Sequence, residues 1–193
     1  MHRKQLRRYH SVGDLHELTF SCYRRLPLLT NNAWRTEFAR AIDEAGTTYQ
    51  LHLVAFVFMP EHVHLLVYPQ AKPNLAKYLS SIKRPVALLA KTDLTASRSR
   101  LLDKLVIRDR PGSRVFRYWQ EGAGFDRNLF TARAITNSID YIHQNPVKRG
   151  LVKEAKQWRW STARYYLSEG QHVDLDLPKI QPLSAEYWQS LEG

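Results

Sequence analysis

Two apolar runs, residues 51–59 and 62–68, are separated by Pro60-Glu61 alone, and this spacing constrains the fold more than any other feature of the chain. Runs this short, rich in β-branched and aromatic residues, read as strands, and so tight a connection predicts an antiparallel hairpin. Alternate residues of a strand share a face, so His62 and His64 project together while Val63, Leu65 and Val67 turn toward the core. Two imidazoles aimed from one rigid strand make half of a metal site, because neutral imidazole nitrogen is a good ligand. A histidine pair on a solvated strand face has the same spacing, so the pattern alone leaves both readings open. Glu61 fits a ligand, a partner that orients a ligand, or a plain turn residue.

Around this hairpin, residues 15–23 read as a further strand whose reach Pro27 limits. Residues 31–45, beginning Asn31-Asn32, predict a helix with an Asn cap and an end at Gly46. Asn74 starts a second helix over 75–82, resuming after Pro85 through Leu89, and residues 131–144 form a third that Pro146 stops. Two or three strands with helices between and after them imply an α+β sandwich, with helices on one face of an antiparallel sheet.

On the 131–144 helix, Ile135, Ile139 and Ile142 form one stripe and Asn137, Tyr141 and Asn145 a neighbouring one. The i,i+4 spacing sets Asn145 one turn beyond Tyr141, close enough for its amide oxygen to complete a metal site beside the phenol. A half-buried packing tyrosine and a helix-terminal asparagine bonded to local backbone fit the same spacing.

The chain has 193 residues, enough for one domain with a real core and no need of metal or disulfide staples. Lys and Arg number 29 against 18 Asp and Glu, and the formal charge of +11 points to a polyanionic partner. The single Cys22 excludes an internal disulfide framework and fits a reducing compartment. The first ten residues lack the apolar centre of a secretion signal and no apolar run approaches membrane-spanning length, so a cytoplasmic protein is expected. Candidate DNA contacts are the basic arm with Arg3, Lys4, Arg7 and Arg8, and the segment carrying Arg98, Arg100, Lys104, Arg108, Arg110, Arg114 and Arg117, which Pro111-Gly112 makes partly a loop. The basic turn Lys148-Arg149-Gly150 joins them. Tyr118, Trp119, Trp158 and Trp160 are candidates to stack on unpaired bases. Residues 169–193 reverse the charge, and as an acidic tail they read as a peripheral strap or a weakly ordered extension.

Several of these segments also resemble a known family in their expected order. Met59-Pro60-Glu61-His62-Val63-His64 looks like the HUH segment, and the run from Tyr141 to Val152 like the nucleophile helix and exit turn, of the REP-associated tyrosine transposases. These are relatives of the IS200/IS605 transposases within the HUH endonuclease superfamily. Arg7-Arg8-Tyr9-His10, Phe20 with Arg24-Arg25, residues 116–120 and the Trp158 segment extend the likeness across most of residues 5–166. The resemblance implies a ferredoxin-like form of the sandwich in a transposase domain spanning residues 1–168. It also implies a divalent ion, Mg²⁺ or Mn²⁺, on His62 and His64, with Asn145 where the wider group presents glutamine, and Tyr141 as nucleophile.

The implied activity is cleavage and transfer of single-stranded DNA at palindromic hairpins through a 5′-phosphotyrosine, by a protein working as a monomer. Arg7 and Arg8 are placed to read the hairpin foot. A non-catalytic hairpin-binding regulator on the same fold, and a metal phosphodiesterase using activated water, are the competing readings.

Overall fold

The structure, a computed structural model, describes residues 14–122 and 124–191. Its centre is a four-stranded antiparallel sheet of β1 (Leu15–Ser21), β2 (Leu51–Phe58), β3 (His62–Pro69) and β6 (Phe125–Leu129), in the order β2-β3-β1-β6. The β2–β3 hairpin forms as the spacing predicts, with a bulge between Leu53 and Ala55. Between β1 and β2 runs α1 (Asn32–Tyr49), and between β3 and β6 lie α2 (Leu75–Ala96), α3 (Leu101–Leu105) and a small hairpin of β4 (Val106–Arg110) and β5 (Ser113–Phe116). After β6 come α4 (Ala132–Lys148), α5 (Ala163–Leu167) and α6 (Ala185–Ser190).

Asn31 caps α1, its side-chain oxygen accepting the Trp34 amide at 3.1 Å. The helix does not end at Gly46 but continues to Tyr49, where Gln50 in the left-handed region closes it. Gly46 is tolerated inside because the Leu51 carbonyl comes so close that a Cβ would sit 3.0 Å from it. Nor do the prolines break their helices. Pro85 lies within an unbroken α2, whose buried residues on either side, Leu79, Ile82, Val86 and Ala90, hold the axis, and Pro146 lies within α4.

The antiparallel α+β class is as expected, but helices cover both faces of the sheet rather than one. Phe20, Phe56, Phe58, Val63, Leu65 and Val67 pack with Phe38 and Ile42 of α1 and Ile82 and Val86 of α2. On the opposite face Leu15, Val57, Leu66 and Leu129 meet Ile135, Ile139 and Ile142 of α4. The histidines of β3 therefore look toward α4, under a second core that alternation alone does not reveal.

The tail is a strap. Asp174 and Asp176 bind Arg159, the Gln181 amide donates to the Leu53 carbonyl at 2.9 Å along the edge of β2, and Tyr187, Trp188 and Leu191 pack on the α4 side.

Trp119, expected at the DNA surface, belongs to the core. It is 9% exposed, its ring lies 5.1 Å from Phe20 and 5.4 Å from Phe38, and its indole N–H donates to the Lys83 carbonyl at 2.9 Å. Tyr118 and Trp160 are buried too, and the half-buried Trp158 spends its N–H on the Phe58 carbonyl. The aromatic-rich core under α1 and α2 claims these rings before a ligand can. Trp119→Ala is accordingly expected to cost about 3 to 5 kcal/mol of folding stability, measured by urea denaturation. An alanine variant as stable as its parent would return Trp119 to the surface.

Candidate active site

The register of the central strands sets the site. Thr19 pairs with His64 and Ser21 with His62 across β1 and β3, and all four side chains face α4. The last turns of α4 bring Tyr141, Asn145, Lys148 and Arg149 over them, and Arg25 closes the side, leaving an open cavity of about 290 Å³. The 3.6-residue period of α4 explains the division of labour: Ile135, Ile139 and Ile142 dock on the sheet while Tyr141, 42% exposed, stands at the cavity mouth.

Both imidazoles are held from behind. His62 Nδ1 lies 3.0 Å from Glu61 Oε1; a carboxylate only accepts, so Nδ1 carries the proton and Nε2 keeps a free lone pair. Asn145 Nδ2 donates to His64 Nε2 at 3.2 Å, which leaves His64 Nδ1 to donate to Thr19 Oγ1 at 2.8 Å. Each ring thus offers Nε2, with Nδ1 anchored on an oxygen, as in histidines that bind metals.

Burial, reinforced by the neighbouring His62, pushes the His64 pKa down to about 3. His62 is also lowered, burial outweighing the pull of Glu61, so both rings are neutral as ligation requires. Burial opposes the charge of Glu61, but His62 and Arg149 prevail and hold its carboxyl below the usual range.

This donor set fits a divalent ion. The 3.2 Å between Asn145 and His64 suits two donors sharing an ion at about 2.0 to 2.2 Å from each. Rotating the amide exchanges its nitrogen for the oxygen a cation needs. Among the described residues no group of three or more His, Cys, Asp or Glu can hold a metal, and the polar group beside the two histidines is the carboxamide of Asn145.

Tyr141 packs edge-on to His64, ring centroids 5.3 Å apart, and Lys148 Nζ sits 5.3 Å from the centre of the phenol ring. His143 is turned away, buried with Nε2 2.9 Å from Thr162 Oγ1, its pKa lowered to about 4 mainly by burial.

Residues 13–106 match the family model described as transposase, IS200 like. A Haemophilus influenzae protein named as a REP-associated tyrosine transposase is 29% identical over 128 residues, 65% of this chain and 66% of that protein, so the chain spans about two thirds of the relative's length. The fold is shared with a solved REP-associated tyrosine transposase bound to a REP hairpin, at a TM-score of 0.64 and 22% identity over 95% of this chain and 96% of that one.

The expected residues His62, His64, Tyr141 and Asn145 converge, joined by Lys148 and Arg149. Arg3, Lys4, Arg7 and Arg8 lie outside the described residues. Arg98, Arg100, Lys104, Arg108, Arg110 and Arg114 are exposed, the first two in the turn before α3, Lys104 on α3 and the others on the β4–β5 hairpin, whose turn is Pro111-Gly112. Lys104 and Arg108 line a cleft with Arg24, one residue from the Arg25 of the cavity. Arg117 is half-buried, 3.9 Å from Glu121.

Sequence reasoning missed Thr19, Ser21 and Arg25. It also missed that Arg149, at 2.9 Å, and Arg25, at 3.4 Å, converge on the Glu61 oxygen that holds His62. Glu61→Gln removes the charge of that hub, and Mn²⁺ affinity should fall about 10- to 100-fold by calorimetric titration. Unchanged affinity would show that Glu61 does not support the ion.

Proposed function

We propose that this protein is a single-stranded DNA endonuclease and strand transferase of the tyrosine transposase type, acting on palindromic hairpins. One observation carries the proposal: the Tyr141 phenol shares a basic-rimmed cavity with two neutral, back-anchored imidazoles and a carboxamide. The matched family and the shared fold support the same reading, and the hairpin in the related solved structure supports the choice of substrate.

His62, His64 and Asn145 would hold the ion, which by family likeness is Mg²⁺ or Mn²⁺. When bound it supplies Lewis acidity to the scissile phosphate. Arg25, Lys148 and Arg149 line the cavity, where their positive charge favours a phosphodiester and the negative charge that grows on it. Lys148 Nζ, beside the phenol ring, sets one of these charges next to the attacking residue.

The Tyr141 oxygen bonds to phosphorus as the bond to the 3′ oxygen breaks. The phenolic proton leaves to solvent, and the departing oxygen gains a proton to become a 3′-hydroxyl. The product is a 5′-phosphotyrosine that conserves a phosphoester, so a 3′-hydroxyl from another strand reverses the step without nucleotide hydrolysis. The exposed bases around β4 and β5 supply backbone contacts outside the cavity. The chain acts as a monomer in the cytoplasm, with residues 1–168 as the working domain and the strap from 169 onward bracing it. No helix of the described residues is long and apolar enough to cross a membrane.

Incubation with Mn²⁺ or Mg²⁺ and end-labelled hairpin oligonucleotides made from palindromic repeats of the host genome should yield a covalent adduct on a denaturing gel. Tyr141→Phe should abolish it and keep hairpin affinity within about 2-fold. Hairpin binding by the parent with no adduct would instead make it a regulator, and metal-dependent cleavage that persists in Tyr141→Phe would make it a hydrolase.

A further inference from the structure

The strand register that builds the cavity continues one strand further. Val57, His64, Thr19 and Phe125 form a single transverse row across β2, β3, β1 and β6, because His64 pairs with Val57 and Thr19, and Thr19 with Phe125. Directly paired residues of antiparallel strands present their side chains on the same face. Thr19 Oγ1 meets His64 Nδ1 on the α4 side, so Phe125 projects on that side too, two strand spacings or about 10 Å from His64 along the row.

β6 is the edge of the sheet among the described residues, and Phe125 is 50% exposed there. The backbone is shaped to put it in place. Gly124, at φ +76°, brings β6 so close to β1 that a Cβ would lie 2.2 Å from the Thr19 carbonyl oxygen, a contact no other residue type could make. Single exposed apolar side chains are common and need no explanation. An exposed ring fixed by a glycine contact in the same row as the metal-ligand candidate and the cavity wall is a different case. Exposed Phe130, Leu167, Val173 and Leu175 lie outside the paired strands of this row.

We infer that Phe125 is a stacking platform for an unpaired nucleobase of the DNA strand that enters the Tyr141 cavity. The inference rests on the proposed nuclease function and gives it a specificity element. Arg25, Lys148 and Arg149 line the cavity and give phosphates their place there, and the base beside a phosphate needs an apolar face once it leaves its neighbours. An aromatic ring at a sheet edge offers that face without reading sequence. The tryptophans expected to do this are committed to the core or hydrogen-bonded to it, which leaves the role to a residue in a short and mostly polar strand.

The test measures binding by fluorescence anisotropy for the parent, Phe125→Ala and Phe125→Trp, each with hairpin oligonucleotides of the same palindromic repeats with and without short unpaired flanks. Phe125→Ala should weaken binding of flanked hairpins about 10-fold, within the range of lost base stacking, and leave bare hairpins unchanged. Phe125→Trp should restore it. Equal affinity of the alanine variant and the parent for flanked hairpins would overturn the inference and leave the nuclease reading standing. So would equal losses on both probes, the mark of a structural role. A parent protein that binds neither probe would remove the nuclease reading, and this one with it.

Discussion

The pairing of Thr19 with His64 is the constraint on which the rest of the site depends. It places a hydroxyl behind one imidazole, sets Ser21 beside the other, and fixes the row on which Phe125 lies. A slip of one residue in β3 would turn both histidines into the core under α1 and α2 and bring Val63 and Leu65 to the cavity floor. Burying unpaired imidazoles among Phe38, Phe56 and Phe58 would cost several kcal/mol. Because helices cover both faces of the sheet, the register is enforced from two sides, and the geometry of the cavity inherits the rigidity of the cores.

Much of this was legible in local pattern. The β2–β3 hairpin, the outward pair His62 and His64, the Asn cap of α1 and the shared stripe of Tyr141 and Asn145 follow from periods of 2 and 3.6 and from capping chemistry. What escaped depends on contacts between distant segments. The strand β6 reads Phe-Asp-Arg-Asn-Leu, too polar to announce itself, because an edge strand meets solvent on its open side. Trp119 looked like an interface residue since composition does not say how much apolar volume two cores need. Pro85 and Pro146 looked like helix ends, yet the packing of α2 and α4 outweighs one lost hydrogen bond each.

The convergence of Arg25 and Arg149 on Glu61 joins residues 36 and 88 positions away from it, a distance at which no sequence pattern speaks. The two edges of the sheet are handled in different ways. Along β2 the backbone is covered by residues 160–162 and by Gln181, so the acidic strap serves as a lid on a strand edge, and two of its carboxylates, Asp174 and Asp176, are spent on Arg159. Among the described residues no strand pairs with the outer side of β6, which is short and charged and shares a row with the cavity wall.

The most direct measurement is mass spectrometry of the protein after reaction with a hairpin oligonucleotide and nuclease trimming. Tyr141 as the nucleophile requires a nucleotide joined through its 5′ phosphate to the peptide containing that residue, and to no other. A nucleotide on a different side chain, or cleaved DNA with a free 5′ phosphate and unmodified protein throughout the time course, would contradict the assignment of the site.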